Sequence, residues 1–215
     1  FLGVKDEKIT VVYNGVDQEK FHRMNEEKAA KIFYEKGWPT NFLLFAGFIE
    51  HPGKNTIGVI KAYEELKKSG RYDGYLILAG MPGSGFEVVK SYADGSMYKD
   101  DIFFTGYVTD EELIALYSKC ATFVFISLYE GFGIPPLEAM SCGAKVVVSN
   151  TSSLPEVVGD IGITVDPKDQ NAVSEAVYKS LLMKVDDDYE EKVKEHLKKY
   201  NWNNLSKKFE NALKE

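Results

Sequence analysis

Short runs rich in β-branched and aromatic residues alternate along this chain with longer stretches of helical periodicity. The runs Thr10–Tyr13, Phe42–Ala46, Tyr75–Ala79, Ile102–Thr105, Thr122–Ile126, Lys145–Ser149 and Gly162–Val165 are predicted strands. Several, such as Phe42-Leu43-Leu44-Phe45-Ala46, are apolar at every position instead of alternating, which is the pattern of a parallel strand covered on both faces. The intervals read as helices. Thr56–Lys68 places Ile57, Ile60, Tyr63 and Leu66 at helical spacing. Asp110–Lys119 follows Thr109, with Glu112 three residues on, a capping-box pattern that Ser153 and Glu156 repeat before Val157-Val158. Pro135-Pro136 opens a helix that Gly143 is placed to close, and Asp166-Pro167 with Asp169 opens one running to about Met183. Strand–helix alternation of this kind predicts an α/β fold, a doubly wound parallel sheet with right-handed crossovers.

Charge changes the picture at the C-terminal end. Asp186–Glu215 is helical and highly charged, with a break at Tyr200–Asn204 around Trp202, and its lysines read as a solvated helix face. Over all 215 residues the net charge is −7, which argues against a broad nucleic-acid surface but leaves room for a small anion at a local positive site. No apolar run approaches the length of a transmembrane span, and no signal-peptide pattern is present. Cys120 and Cys142 lie in apolar, helix-like stretches and read as two buried thiols in a reducing compartment, so a cytoplasmic location is expected. His22, His51 and His196 lack ligand spacing, and no metal site is expected. The chain starts at Phe1, and Phe1-Leu2-Gly3-Val4 reads as the end of an earlier element, so a longer parent chain is expected.

In an open parallel sheet, ligands bind beyond the carboxyl ends of the strands. The richest such end is Ser127-Leu128-Tyr129-Glu130-Gly131-Phe132-Gly133-Ile134-Pro135-Pro136-Leu137-Glu138. Gly131 and Gly133 allow a sharp turn, and the helix N-terminus favours an anion. Pro135 and Pro136 have no N–H, so the donors there are Phe132, Gly133 and Ile134, with Glu130 and Glu138 bracketing the turn. A glutamate in a first helical turn is also favoured by the macrodipole alone, so the segment by itself fits a structural turn equally well. Gly47-Phe48-Ile49-Glu50-His51-Pro52-Gly53-Lys54-Asn55 is a second candidate. Lys54 opposes the macrodipole unless an anion sits there; otherwise it is a solvent lysine, and Asn55 reads as a helix N-cap in either case. Gly80-Met81-Pro82-Gly83-Ser84-Gly85 reads as a flexible loop, and Gly106-Tyr107-Val108 as a connecting turn.

Together these segments resemble the C-terminal domain of the retaining glycosyltransferases of the GT-B fold, family 4, also called glycosyl transferases group 1. The resemblance runs through nearly the whole chain. It is carried by Val11–Asp17 with Phe21, by Lys54-Asn55, by Gly106–Tyr117, by the paired Glu130 and Glu138, by Leu154-Pro155-Glu156-Val157-Val158-Gly159, and by Tyr200-Asn201-Trp202. It implies a Rossmann-like nucleotide-sugar-binding domain over residues 1–184 and a C-terminal helical extension, 185–215, that crosses back to an acceptor-binding N-terminal domain missing from this chain. It further implies transfer of a hexose from a UDP- or GDP-linked donor with retention of configuration and no metal or other cofactor. Glu130 and Lys54 are then the catalytic pair. Gly47, Asn55, Tyr107, Val108, Gly131, Phe132, Gly133, Ile134 and Glu138 bind the donor, with Glu138 on the ribose and the Tyr107-Val108 backbone at the base. The resemblance also implies polysaccharide biosynthesis, mannosyl transfer among its activities, and a parent enzyme compatible with a peripheral membrane location. Many relatives carry arginine directly after the glycine at position 47, where this chain has Phe48, so a second cation beside the diphosphate is missing or comes from elsewhere. The isolated chain is expected to bind a nucleotide weakly and to transfer no sugar alone.

Three other readings compete. A nicotinamide-dependent dehydrogenase requires Gly-x-Gly-x-x-Gly after the first strand, and Asn14-Gly15-Val16-Asp17 lacks it. An NDP-sugar epimerase or a phosphorylase on the related two-domain fold is another; a phosphorylase would show a lysine for a pyridoxal cofactor in a recognisable context, and there is none. A non-catalytic nucleotide-sugar-binding or assembly module remains open because of Phe48.

Overall fold

The structure, a computed structural model, describes residues 3, 5 and 8–213. The expected element end at Phe1–Val4 therefore falls largely outside the described residues, as do Lys214 and Glu215 at the end of the helical extension. Strands β1 (Phe42–Ala46), β2 (Tyr75–Ala79), β3 (Ile102–Gly106), β4 (Thr122–Phe125), β5 (Val146–Ser149) and β6 (Ile163–Val165) form one sheet in the order β3-β2-β1-β4-β5-β6. Every pairing in it is parallel. β1, β4 and β5 are buried along their full length, which is why their sequences are apolar throughout. Phe45 stacks on Phe125 with centroids 6.0 Å apart, and Phe125 on Phe123 at 5.8 Å.

Helices α1 (Glu26–Lys36), α2 (Thr56–Lys68), α3 (Phe86–Asp94), α4 (Asp110–Lys119), α5 (Ile134–Ser141), α6 (Leu154–Val158), α7 (Gln170–Leu182), α8 (Asp187–Leu197) and α9 (Trp202–Ala212) fill the intervals. The chain winds from β1 through α2 and α3 out to β3, then returns through α4 to β4 and outward again to β6. Right-handed crossovers therefore place α2 and α3 on one face and α4, α5 and α6 on the other. α7 closes the first face against α2, and α8 packs on α5 across the second. The strand order reverses between β1 and β4, the position at whose carboxyl ends open α/β sheets form their ligand crevice.

Local signals fixed most boundaries. Thr109 and Glu112 form the expected capping box at α4. Glu112 also pairs with Lys36 at 2.5 Å, and these bonds hold its carboxyl below the usual range. α1 was not named from the sequence, although Asn25 caps it through bonds from the Glu27 and Lys28 amides and Gly37 closes it at φ 65°. α3 was likewise hidden behind a glycine-rich loop.

Four expectations need correction. Thr10–Tyr13 is not a strand: Val11 is exposed, and the segment pairs with no strand of the sheet. Instead it leads into Val16, which bridges to Asn201 and donates its N–H to the Tyr200 carbonyl at 3.0 Å. The Gly80–Gly85 loop is not loose, because Ile49 N–H bonds to Met81 O, Gly83 N–H to Ile49 O and His51 N–H to Ser84 O. Asn55 occupies the N-cap position of α2 without capping it: at φ 54° its side chain turns away and donates to Pro167 O at 3.1 Å. Ser153 makes no cap bond at α6, since its hydroxyl reaches across to another loop. Cys142 is buried and Cys120 half-buried, both free; burial pushes the Cys142 thiol up to about 12 and Cys120 higher still. Among the described residues, no helix is long and apolar enough to cross a membrane.

Candidate active site at the strand-order reversal

The loops after β1 and β4 flank the crevice, and they bring the first two sequence candidates into contact. Lys54 Nζ donates to Glu130 Oε1 at 2.7 Å and lies 5.5 Å from the centre of the Phe125 ring. The Lys54 loop is tied down on several sides. Thr56 Oγ1 donates to Glu50 O and accepts from Glu50 N–H, while Leu128 N–H bonds to Gly53 O at 2.9 Å, linking this loop to the Glu130 loop. Asn55 is 8% exposed and lies over Gly58, where an added Cβ would stand 2.6 Å from its amide nitrogen. Asn55 therefore positions Lys54 by anchoring the corner to Pro167, and its side chain is not turned towards the crevice.

The Glu130–Ile134 turn presents backbone more than side chains. Gly133 adopts φ 118°, and a Cβ there would meet Leu154 Cδ2 at 2.6 Å, so only glycine fits. Gly131 is exposed with open space around it. The N–H groups of Gly131, Phe132, Gly133 and Ile134 have no acceptor among the described residues. The Phe132 ring turns inward between Tyr13 and Tyr200, 6.1 and 6.0 Å away. These amides, with the partial positive charge of the α5 N-terminus and the Lys54 ammonium, form a place where an anion is favoured.

Glu138 sits one turn into α5 and accepts from the Tyr117 hydroxyl at 3.3 Å. Burial pushes its carboxyl above the ordinary range; the Tyr117 bond and the charge of Lys20 pull it back, and Asp110 pushes the same way as burial. Lys20 is itself paired with Asp110 at 2.5 Å. A half-buried carboxylate held at a disadvantage is a mark of functional sites. At the other rim, Gly47 donates its N–H to Ala79 O, and Gly80 approaches so closely that a Cβ there would lie 1.9 Å from Gly47 O. Gly80 N–H in turn bonds to Gly106 O, so the Tyr107-Val108 turn lies along the same edge, with Tyr107 exposed and Val108 half-buried. Phe48 is 60% exposed beside this rim. Among the described residues there is no cluster of His, Cys, Asp and Glu able to hold a metal.

Sequence reasoning missed the hydroxyl row Ser149, Thr151, Ser152 and Ser153 behind the Glu130 loop. The run of small hydroxyl residues was visible, but the capping pattern at Ser153 drew the reading elsewhere.

The sequence model of the family described as Glycosyl transferases group 1 matches residues 26–201. The chain belongs to this family. As a group 1 glycosyltransferase domain, it is 40% identical over 185 residues to the O-antigen chain mannosyltransferase B of Escherichia coli, an alignment covering 84% of this chain and 47% of that protein. The chain thus spans about half the length of this curated relative. A glycosyltransferase of Rickettsia africae superposes with a TM-score of 0.84 at 19% identity, over 97% of this chain and 57% of the other. Anabaena HepE, crystallised with UDP and glucose, superposes at 0.81 and 19% identity, over 99% and 58%. These superpositions bear on the fold, and they match the expected Rossmann-like half of a GT-B glycosyltransferase.

Proposed function

We propose that this group 1 glycosyltransferase domain binds the nucleotide-sugar donor of a retaining hexosyltransferase, whose acceptor is held by a separate N-terminal domain of the parent enzyme. The observation that carries this reading is the meeting of Lys54 and Glu130 at 2.7 Å beside the free amides of Gly131–Ile134. In the donor complex, Lys54 leaves Glu130 for the diphosphate, and the α5 N-terminus receives the other phosphate oxygens. As the glycosidic bond breaks, charge grows on the leaving diphosphate, so both groups act more strongly in the transition state than in the ground state. Glu130, released from Lys54, accepts from hydroxyls of the sugar near the reacting carbon. Glu138 accepts from ribose hydroxyls, and the Tyr107-Val108 turn meets the base. UDP bound to Anabaena HepE supports a nucleoside diphosphate ligand, and the mannosyltransferase name of the Escherichia coli relative supports mannose as the transferred sugar. The exposed apolar residues Trp202 and Phe209 on α9 fit the proposed return of the 185–215 extension to that N-terminal domain. A cytoplasmic parent enzyme at the membrane periphery accords with an O-antigen relative.

Titration calorimetry with UDP-, GDP- and ADP-sugars tests donor binding and identifies the base. Lys54→Ala and Glu130→Ala in the parent enzyme are each expected to lower turnover at least about tenfold, roughly 1.4 kcal/mol of transition-state stabilisation. Turnover surviving both nearly unchanged would instead favour the non-catalytic module, to which exposed Phe48 lends support. Transfer of sugar by the isolated 215-residue chain would overturn the separate-acceptor-domain part of the proposal.

A further inference from the structure

The turn that carries Glu130 is gripped from behind by the corner between β5 and α6. Ser149 Oγ donates to Ser127 O at 2.6 Å, and Thr151 Oγ1 donates to Leu128 O at 3.1 Å. Ser152 Oγ accepts the Glu130 N–H at 3.0 Å. Ser153 Oγ lies 2.5 Å from Phe132 O and 3.3 Å from Glu130 O. A hydroxyl has one proton, so the shorter contact identifies Phe132 O as its main acceptor. Four hydroxyl groups thus address the backbone from Ser127 to Phe132, although this corner belongs to a different strand–helix unit.

The peptide group is planar and trans, so a pinned carbonyl fixes the direction of the following N–H. Holding Phe132 O sets the Gly133 N–H on the opposite side of that plane. It is one of the amides that lack an acceptor among the described residues. Ser152, by taking the Glu130 N–H, fixes the peptide plane from which the Glu130 side chain departs. It adopts φ 52° to do so, a left-handed conformation that is uncommon for serine. Ser153 occupies the N-cap position of α6 yet makes no cap bond there, so its local role is given up for the distant one.

We propose that Ser152 and Ser153 are positioning residues for the donor diphosphate: they orient the Gly133 amide and the Glu130 carboxylate without touching the ligand. The proposal rests on the reading that the free amides of this turn bind the diphosphate.

The test compares the wild-type chain with Ser152→Ala, Ser153→Ala, the double variant, Ser153→Thr and Lys54→Ala. Calorimetry with UDP, GDP and inorganic pyrophosphate reads binding, amide hydrogen exchange reads residues 128–134, and thermal unfolding reads global stability. The double variant is expected to bind UDP, GDP or pyrophosphate about tenfold more weakly than wild type. Its Glu130 amide, released from Ser152, exchanges faster while the β1 and β4 amides keep their protection, and Ser153→Thr, which retains the hydroxyl, keeps wild-type affinity. If wild type binds and Lys54→Ala weakens binding while the double variant stays within about twofold of wild type, the donor-site reading stands and the positioning role is overturned. Unchanged exchange across 128–134 overturns it as well. If wild type binds none of the probes, the donor-site reading fails and takes the positioning role with it. A double variant that unfolds globally leaves the decision to Ser153→Ala against Ser153→Thr, where equal affinities overturn the proposal.

Discussion

Glu138 carries a penalty that a solvent-exposed glutamate would not. Burial raises its carboxyl above the ordinary range, so at neutral pH the folded chain holds an anion that the unfolded chain solvates better. An acid raised on folding weighs least on stability when it is protonated in both states, below the ordinary carboxylate range, and stability falls as pH rises through that range towards the raised value. Glu138→Gln keeps the shape and can still accept from Tyr117 while removing the charge. It is therefore expected to unfold at a higher temperature than wild type at pH 7.5, with the difference closing by about pH 4, as scanning calorimetry across pH would show. On the proposed ribose role of Glu138, the same variant should bind nucleotide less well, because an amide is a weaker acceptor for hydroxyls than a carboxylate. An unchanged midpoint at both pH values would contradict the burial argument. Glu138 was legible in the sequence as half of a pair of carboxylates; its burial and its contact with Tyr117 were not, because they depend on how α4 lies against α5. Asn55 is a parallel case. Its place at the start of α2 was evident, but its bond to Pro167 crosses 112 residues of sequence.

At the scale of elements, the two glycines of the Glu130 turn separate structural need from ligand access. Gly133 sits at φ 118° with Leu154 closing the space a side chain would take, whereas Gly131 faces open space. Gly133→Ala should destabilise the domain by about 1–3 kcal/mol through backbone strain and the clash. Gly131→Ala should stay within about 0.5 kcal/mol of wild type in chemical denaturation, as is usual for open surface positions. Any loss of nucleotide affinity in Gly131→Ala then reports a methyl group in the ligand's path instead of misfolding. Equal stabilities for the two variants would show that the Leu154 contact does not constrain the turn. The sequence named both glycines as turn formers. It could not rank them, since Leu154 belongs to a later helix. The reverse error occurred at Thr10–Tyr13, where β-branched residues suggested a strand but the segment leads into Val16, which pairs with Tyr200-Asn201 and not with the sheet.

Across the whole molecule, Tyr200 joins the terminal helices to the site. It is 2% exposed, donates its hydroxyl to Glu156 O at 2.9 Å, and receives the Val16 N–H on its own carbonyl. Its ring lies 5.7 Å from Tyr13, 6.0 Å from Phe132 and 5.4 Å from His196. Tyr200→Ala is expected to cost about 3–5 kcal/mol, as for other buried aromatic truncations. Because Phe132 loses its support, the variant should also weaken nucleotide binding at temperatures where it remains folded. Tyr200→Phe keeps the ring and removes one hydrogen bond, for a smaller loss of about 1 kcal/mol and near-normal binding. If Tyr200→Ala bound nucleotide as well as wild type, the coupling of the terminal helices to the Glu130 turn would be refuted. This connection spans the chain from Tyr13 to Tyr200, and residue spacing gives no hint of it.

The sequence alone determined the alternation of strands and helices, the parallel character of the sheet and the identity of the two corners that carry Lys54 and Glu130. Those properties follow from local periodicity, from glycine and proline at turns, and from side chains buried on both faces of a strand, all of which are written within a few residues of one another. Only the tertiary structure decided that the two corners meet, since their contact requires β4 to lie beside β1 where the strand order reverses. It also decided that Ser153 and Asn55 give up local capping for distant carbonyls. A hydroxyl or amide bonds whichever acceptor packing brings within about 3 Å, and that competition is settled by the fold and not by neighbours in the chain.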